Sequence, residues 1–358
     1  LRGHDGLYAG DADPFTSLGH DYHNVDHESR GGSLRLEHDF GGVTFTSLSA
    51  YEYFERDQEE VGDNSAIYTG TWIFWYSEIK QHTQEFRLNS NEDGPLNYVA
   101  GLFYEKDELY TRDWLTLGAG ELSGLGGFDT AFDQTVEALA LFGNLNYELS
   151  DELTLTLGLR YSQEDTEIEG GTCFAAGIDR SRKDDRPTSG CLAQLTSSDN
   201  VVGGNKRDDS NTSYVASLDW TPAGFEDTMF YGSVSSGFRS GGFNADLATE
   251  PGQFNSLSPE EITAYEFGFK SILNDGTMRL NAALFYYDFE NGFINVDNPL
   301  SPVPYTINAA GLEVTGLDVE FQWLISQNWR LDAGLGLLDA EISSDSISDG
   351  QSIDGNRP

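Results

Sequence analysis

In the stretch DELTLTLGLRYSQED, Leu153, Leu155, Leu157, Leu159 and Tyr161 take every second position, and Thr154, Thr156, Gly158, Arg160 and Ser162 fill the gaps. A period of two is the mark of a β-strand with one apolar and one polar face. About twelve such segments recur, and they pair: 34–40 with 42–54, 85–90 with 97–109, 138–149 with 153–161, 213–220 with 229–238, 263–273 with 278–289, and 312–323 with 329–338. Each pair is joined by a few residues rich in Gly, Asn, Asp or Pro, such as Asn274-Asp275-Gly276, so six β-hairpins are expected. Between hairpins the connections 55–79, 110–134, 166–212, 240–262 and 291–311 are long, polar and Gly-rich. Short turns therefore fall at one end of the strands and long loops at the other.

A soluble sandwich has no reason to sort its connections in this way, because both ends of its sheets meet water. An outer-membrane barrel does, with short periplasmic turns and longer external loops. Trp220, Trp323, Trp329, Tyr147 and Tyr161 stand at strand ends, where an aromatic girdle meets the lipid interface. The apolar parity of the best strands carries no charge, and a charge there would cost roughly 2–4 kcal/mol at mid-bilayer. The expected fold is all-β: an antiparallel transmembrane β-barrel, present in part as about twelve strands of a larger barrel. Leu157 would then face lipid and Arg160 the lumen.

Composition narrows the function. The chain has 358 residues with 40 Gly, 22 Phe and 17 Tyr but 10 Pro and 2 Met, a balance that favours strands over helices. A net charge of -40 argues against nucleic acid, whose phosphates it would repel. No apolar run approaches the roughly 20 residues of a membrane helix, but barrels hide their apolar band in alternate positions. The two cysteines, Cys173 and Cys191, share one polar stretch, so a disulfide closing that loop in an oxidising compartment is the preferred reading over two unrelated thiols.

From Tyr231 onward the chain resembles the TonB-dependent outer-membrane receptors of Gram-negative bacteria. The motifs that carry this are YGSVSSGFRSGGFN (231–244), LSPEEITAYEFGFKS (257–271) and LNAALFYYDFENGF (280–293). Leu257, Pro259, Glu260, Tyr265, Glu266, Gly268 and Lys270 match the family's spacing, and GLRY (158–161), QEFRLNS (84–90) and GLEVTGLDVEFQW (311–323) resemble further barrel strands, with Asp318 where Glu is commoner. The resemblance implies a barrel of about 22 strands with a plugged lumen. It implies import, energised by TonB, of a scarce ligand too large for porins, a ferric siderophore above all. Residues 1–358 are expected to be a single partial barrel domain, the front and middle of that barrel. The plug domain, the TonB-contacting segment and the closing C-terminal strands are expected to lie outside this piece. Expected partners are outer-membrane lipid, lipopolysaccharide, TonB through the plug region, and the ligand. The rival classes are a passive porin and a secreted all-β binding protein.

The candidate lumen and ligand-path residues are Arg160, Arg239, Glu266, Lys270, Asp318, Glu320 and Arg330, each a charge on the polar parity, with water-filled lining as the bland alternative. Arg239 would either contact an anionic ligand or serve structurally at the rim, where Gly241 and Gly242 are expected to supply a positive φ or a bulge. Trp72, Trp75 and Tyr76 in TWIFWYSEI are expected to form an interfacial girdle at the upper membrane edge, or more sharply an aromatic wall facing the ligand. His20, His23 and His27 have metal-like spacing, but no strand or helix register would fix them at one point, and an acidic solvated loop is the expectation. Neither an enzyme nor a bound cofactor is expected, since the chain contains no G-x-S-x-G, P-loop or HExxH.

Overall fold

The computed structural model describes residues 23–61, 72–91, 94–116, 127–175, 191–195, 205–244, 256–296, 305–308, 311–343, 347–348 and 351–352. These residues form β1 (His23–Asp39), β2 (Val43–Val61), β3 (Trp72–Ser90), β4 (Leu96–Thr116), β5 (Gly127–Ser150), β6 (Leu153–Ala175), β7 (Cys191–Leu195), β8 (Lys206–Trp220), β9 (Thr228–Arg239), β10 (Gly242–Phe243), β11 (Ser256–Leu257), β12 (Glu260–Leu273), β13 (Met278–Glu290), β14 (Phe293–Val296), β15 (Tyr305–Asn308), β16 (Gly311–Ser326), β17 (Trp329–Ser343), β18 (Ile347–Ser348) and β19 (Gln351–Ser352). One antiparallel sheet runs β1-β2-β3-β4-β5-β6-β8-β9-β12-β13-β16-β17, with β7 paired to β6 beside the main path. The pairs β10-β11, β14-β15 and β18-β19 are separate two-stranded ribbons between or after the long strands.

All six expected hairpins form, and their turns bring strand ends together within three residues of the positions the alternation marks. At the β12–β13 turn, Asn274, Asp275 and Gly276 all have positive φ (52°, 51° and 83°). That backbone suits the right-handed twist of a hairpin and is tolerated by Asn, Asp and Gly. The opposite ends differ from expectation. The strands continue well beyond the alternating stretches, so β5 spans 24 residues, about 80 Å of extended chain. A tilted strand crosses a bilayer in about 9–11 residues. Roughly half of each of the longest strands therefore stands above any membrane.

Register sorts the two faces. Tyr147, Leu145, Leu141 and Leu139 on β5 lie opposite Leu155, Leu157, Tyr161 and Gln163 on β6, and opposite Leu96, Tyr98, Leu102 and Tyr104 on β4. These outward side chains form an apolar band. Leu139, Leu141, Leu159 and Tyr161 lie in it and are about half exposed, with no protein layer over them. The row above Tyr104 and Leu139 turns polar, where Lys106 faces Glu137.

On the inner face, large rings lie across glycines of the neighbouring strand. A Cβ at Gly101 would come within 2.5 Å of the Phe142 ring and of the Phe86 carbonyl oxygen, and a Cβ at Gly316 within 2.1 Å of the Phe285 ring. The glycines there give the aromatics a flat bed on a concave wall.

Candidate functional site

Four of the seven charged candidates converge. Glu266 and Lys270 on β12 and Asp318 and Glu320 on β16 line one open cavity of about 550 Å³ on the inner face, together with Tyr231 of β9 and Asn281 of β13. Pairing explains the convergence: Glu266 lies opposite Phe285 and Lys270 opposite Asn281, while Asn281 lies opposite Glu320 and Ala283 opposite Asp318. All of these have the polar parity, so a wall of charge alternates with the outward row Phe267, Leu284 and Leu317.

Tyr231 organises the group. Its hydroxyl donates to Glu266 Oε1 at 2.5 Å, and Lys270 Nζ stands 5.3 Å from its ring centroid. The ring lies over Gly268, where a Cβ would meet it at 2.7–2.8 Å. Asn281 Nδ2 donates to Glu320 Oε2 at 3.3 Å. Gly334 and Gly336 of β17 close the far side without side chains. The arrangement presents three carboxylates and one ammonium on a flat wall, suited to holding hydrogen-bond donors and cationic groups.

The other candidates lie apart. Arg160 on β6 stacks over Phe103 and Phe142, 5.5 and 5.8 Å from their ring centroids, and its Nε donates to Ser162 Oγ at 3.0 Å. Arg239, at the upper end of β9, pairs with Glu260 at 2.6 Å and lies 4.0 Å from the Phe293 ring centroid. Arg330, near the β16–β17 turn, pairs with Asp332 on its own strand at 2.7 Å. Gly241 and Gly242 have no positive φ, which corrects that one of the two reasons expected for them. A Cβ at Gly241 would come within 2.2 Å of the Leu257 carbonyl oxygen and 2.4 Å of Arg207 Nη2, so close approach is what requires glycine there.

Trp72, Trp75 and Tyr76 also sit differently from expectation. They belong to β3 rather than to a loop, eight or more residues above Gln84, which lies opposite Tyr104 at the top of the apolar band. Phe74 and Tyr76 are buried with Trp114 in one cluster, flanked by Trp72 and Tyr110. Beside it Arg112 donates from Nε and Nη2 to both carboxylate oxygens of Asp129 at 2.9 and 2.7 Å and stacks 4.6 Å from the Trp114 ring centroid. Burial pushes the nearby Tyr110 hydroxyl up to about 12. These aromatics hold the upper wall rigid, a role that outweighs an anchor at the membrane edge because no lipid reaches that height. Trp75 points to the inner face, with Arg56 6.0 Å from its ring centroid.

Cys173 is disulfide-bonded, and the chain's one other cysteine, Cys191, is its register partner across β6–β7. His20 lies outside the described residues and His23 is described only as strand backbone, while His27 is exposed on β1 with its ring 5.5 Å from Phe54. Among the described residues no group of three or more His, Cys, Asp or Glu could hold a metal. Tyr231 and Asn281 were not singled out from the sequence, although both occupy polar-parity positions.

A single sheet with an apolar convex band, aromatic rims, polar concave wall and turns sorted by end is the wall of a transmembrane β-barrel. The sequence model of the family described as TonB dependent receptor-like, beta-barrel matches residues 2–358, and the chain belongs to that family. It is a protein of the Gram-negative outer membrane. It is 24% identical over 365 residues to the probable TonB-dependent siderophore receptor PiuA of Acinetobacter baumannii, covering 90% of this chain and 45% of that protein. It is 24% identical over 277 residues to the pesticin receptor of Yersinia pestis, covering 74% of this chain and 35% of that protein. The crystal structure of the ferric yersiniabactin uptake receptor FyuA from Yersinia pestis superposes with a TM-score of 0.70 at 16% identity, over 90% of this chain and 44% of that one. The chain thus spans less than half the length of these relatives.

Proposed function

We propose that residues 1–358 are one partial barrel domain of an active importer that takes up a scarce ligand, a ferric siderophore, energised by TonB through a plug. The observation that supports this most is the whole-length family match, with relatives named as a probable siderophore receptor and a pesticin receptor. The charged inner wall around Glu266, Lys270, Asp318 and Glu320 would then face plug and ligand path, with Arg160, Arg239 and Arg330 on the same face. Outer-membrane lipid and lipopolysaccharide would cover the convex face. A passive porin would share the lipid face but would show no dependence on energy.

The test is uptake of radiolabelled iron by cells carrying the full-length receptor, offered a panel of ferric siderophores under iron limitation. Uptake of at least one complex should disappear when the receptor gene is deleted, when TonB is removed, and when a protonophore collapses the proton gradient. Uptake that survives the protonophore would establish passive flux and overturn the reading.

A further inference from the structure

At its outer end the seam between β8 and β9 is incomplete. β8 pairs with β6 along its whole length, from Leu153↔Trp220 to Glu167↔Lys206, and β9 pairs with β12 up to Glu260↔Arg239. Between β8 and β9 the ladder runs only from Trp220↔Phe230 to Val215↔Ser235. Just above it, the Tyr214 amide donates to the Ser236 hydroxyl at 3.0 Å, where a backbone carbonyl would ordinarily accept. The chain leaving β9 turns in over the lumen face of β8 instead of climbing beside it. Ser240 Oγ donates to Glu164 Oε2 at 2.7 Å, yet Glu164 belongs to β6, on the far side of Asp209 of β8.

The β10–β11 ribbon continues this inward turn, and Arg207 of β8 holds it. The guanidinium donates to both carboxylate oxygens of Asp209, at 2.7 and 3.2 Å, and to the hydroxyl of Ser256 on β11. Asp209 and Leu257 are buried there. The β14–β15 ribbon is tied to the first. Asn308 Oδ1 accepts from the Ser258 amide at 2.7 Å, and Asn308 Nδ2 donates to the carbonyls of Ser258 and Asn291 at 3.0 and 2.8 Å. One ribbon thus meets the other as strands in a ladder do, amide to backbone. The described contacts from ribbon to wall are of another kind: two serine hydroxyls, and the Phe293 ring on Arg239. Contacts of that kind exchange with water at small net cost.

We propose that the two ribbons form one hinged shelf that narrows the outer mouth of the lumen, and that Arg207 is the latch that holds it down. Asp209 keeps the guanidinium aimed at the ribbon. The leverage lies with Ser256, which belongs to the ribbon itself. Ser240 stands one residue beyond β9 and Phe293 at the start of β14, so both sit at the roots and move little when the shelf turns. Gly241 lets the chain pass against the latch, since a Cβ there would meet Arg207 Nη2 at 2.4 Å. The roots are able to rotate: Gly241 and Gly242 stand at one, and Asn291, with a φ of 57°, precedes Gly292 at the other. A hinge needs only a few such positions to absorb the change in φ and ψ. Released from Arg207, the shelf swings outward as a unit held together by Asn308, while every ladder below Val215↔Ser235 stays intact.

The inference rests on the barrel placement and not on what the lumen carries, so a receptor that imports normally around a fixed shelf refutes it alone. The experiment is double electron–electron resonance on the full-length receptor in lipid nanodiscs. One spin label is carried by Glu108→Cys, exposed on the outward face of β4. The second is carried by Thr306→Cys on β15, to follow the shelf, or by Glu261→Cys on β12, to follow the wall. The disulfide at Cys173 keeps the chain's own cysteines out of the labelling. Arg207→Ala and Ser256→Ala should each enlarge a longer-distance population of the shelf pair roughly tenfold over the wild type, as loss of one charge-assisted hydrogen bond implies. Both should leave the wall pair unchanged. Ser256→Ala removes a single hydroxyl, and folding of both variants is checked by heat-modified gel mobility. A shelf pair that stays as in the wild type in either folded variant overturns the latch. A wall pair that shifts along with the shelf pair overturns the hinge.

Discussion

Replacing Leu157 by Arg tests which face of the wall meets hydrocarbon. Leu157 is the middle member of the outward row from Leu153 to Tyr161, its register partners are Leu145 and Ala216, and it is 40% exposed. A guanidinium at mid-bilayer on this face costs roughly 2–4 kcal/mol. That is roughly 30- to 700-fold in the folding equilibrium at about 1.4 kcal/mol per tenfold. The adjacent Thr156 points to the inner face, where its Oγ1 donates to Asn146 Oδ1 at 2.8 Å. Thr156→Arg loses this one exposed hydrogen bond and gains a charge on a wet wall, which costs about 1 kcal/mol. The full-length receptor, refolded into lipid vesicles and unfolded in urea, should show Leu157→Arg at least 1 kcal/mol less stable than Thr156→Arg. Equal stability, or a larger loss at Thr156, would mean that the leucine row does not touch lipid, and the barrel assignment would fall with it.

Gly101→Ala drives a methyl against Phe142 and the Phe86 carbonyl, so urea unfolding in vesicles should show a loss of about 1–3 kcal/mol. Asp129→Ala leaves the buried Arg112 guanidinium without its bidentate carboxylate, a change that costs about 3–5 kcal/mol for a buried pair. Hydrogen exchange should then rise at the upper ends of β4 and β5 while the lower ends stay protected. Alkylation of the unfolded, unreduced chain should add no label, and alkylation after reduction should add two, at Cys173 and Cys191.

The lower half of every long strand was legible because hydrocarbon demands strict alternation there, and LTLTLGLRY or DVEFQW betrays its faces residue by residue. Short turns were legible for a chemical reason, since Asn274-Asp275-Gly276 permits the positive φ that a tight hairpin requires. The upper halves were not. Between Glu52 and Val61 the sequence EYFERDQEEV has polar residues on both parities, because water or protein rather than lipid lies on either side. The inner-wall cavity was half legible. Charge on the polar parity marked Glu266, Lys270, Asp318 and Glu320, whereas Tyr231 depends on lying across Gly268, a relation between strands that one strand's sequence does not hold. The aromatic run from Trp72 to Tyr76 misled because a girdle and a buried cluster use the same residues. Only the distance along β3 from Gln84 separates them.

A polar strand with two wet faces has no internal reason to prefer one hydrogen-bonding offset over its neighbour shifted by a residue. Yet β2 pairs with β3 without a break from Val43↔Ser90 to Val61↔Trp72. The greasy lower stretch supplies the missing phase, because slipping by one position there would turn Phe86 and Leu88 into the lumen and thread polar side chains into oil. Every rung above inherits that choice, so the bilayer works as a ruler for parts of the protein that it never touches.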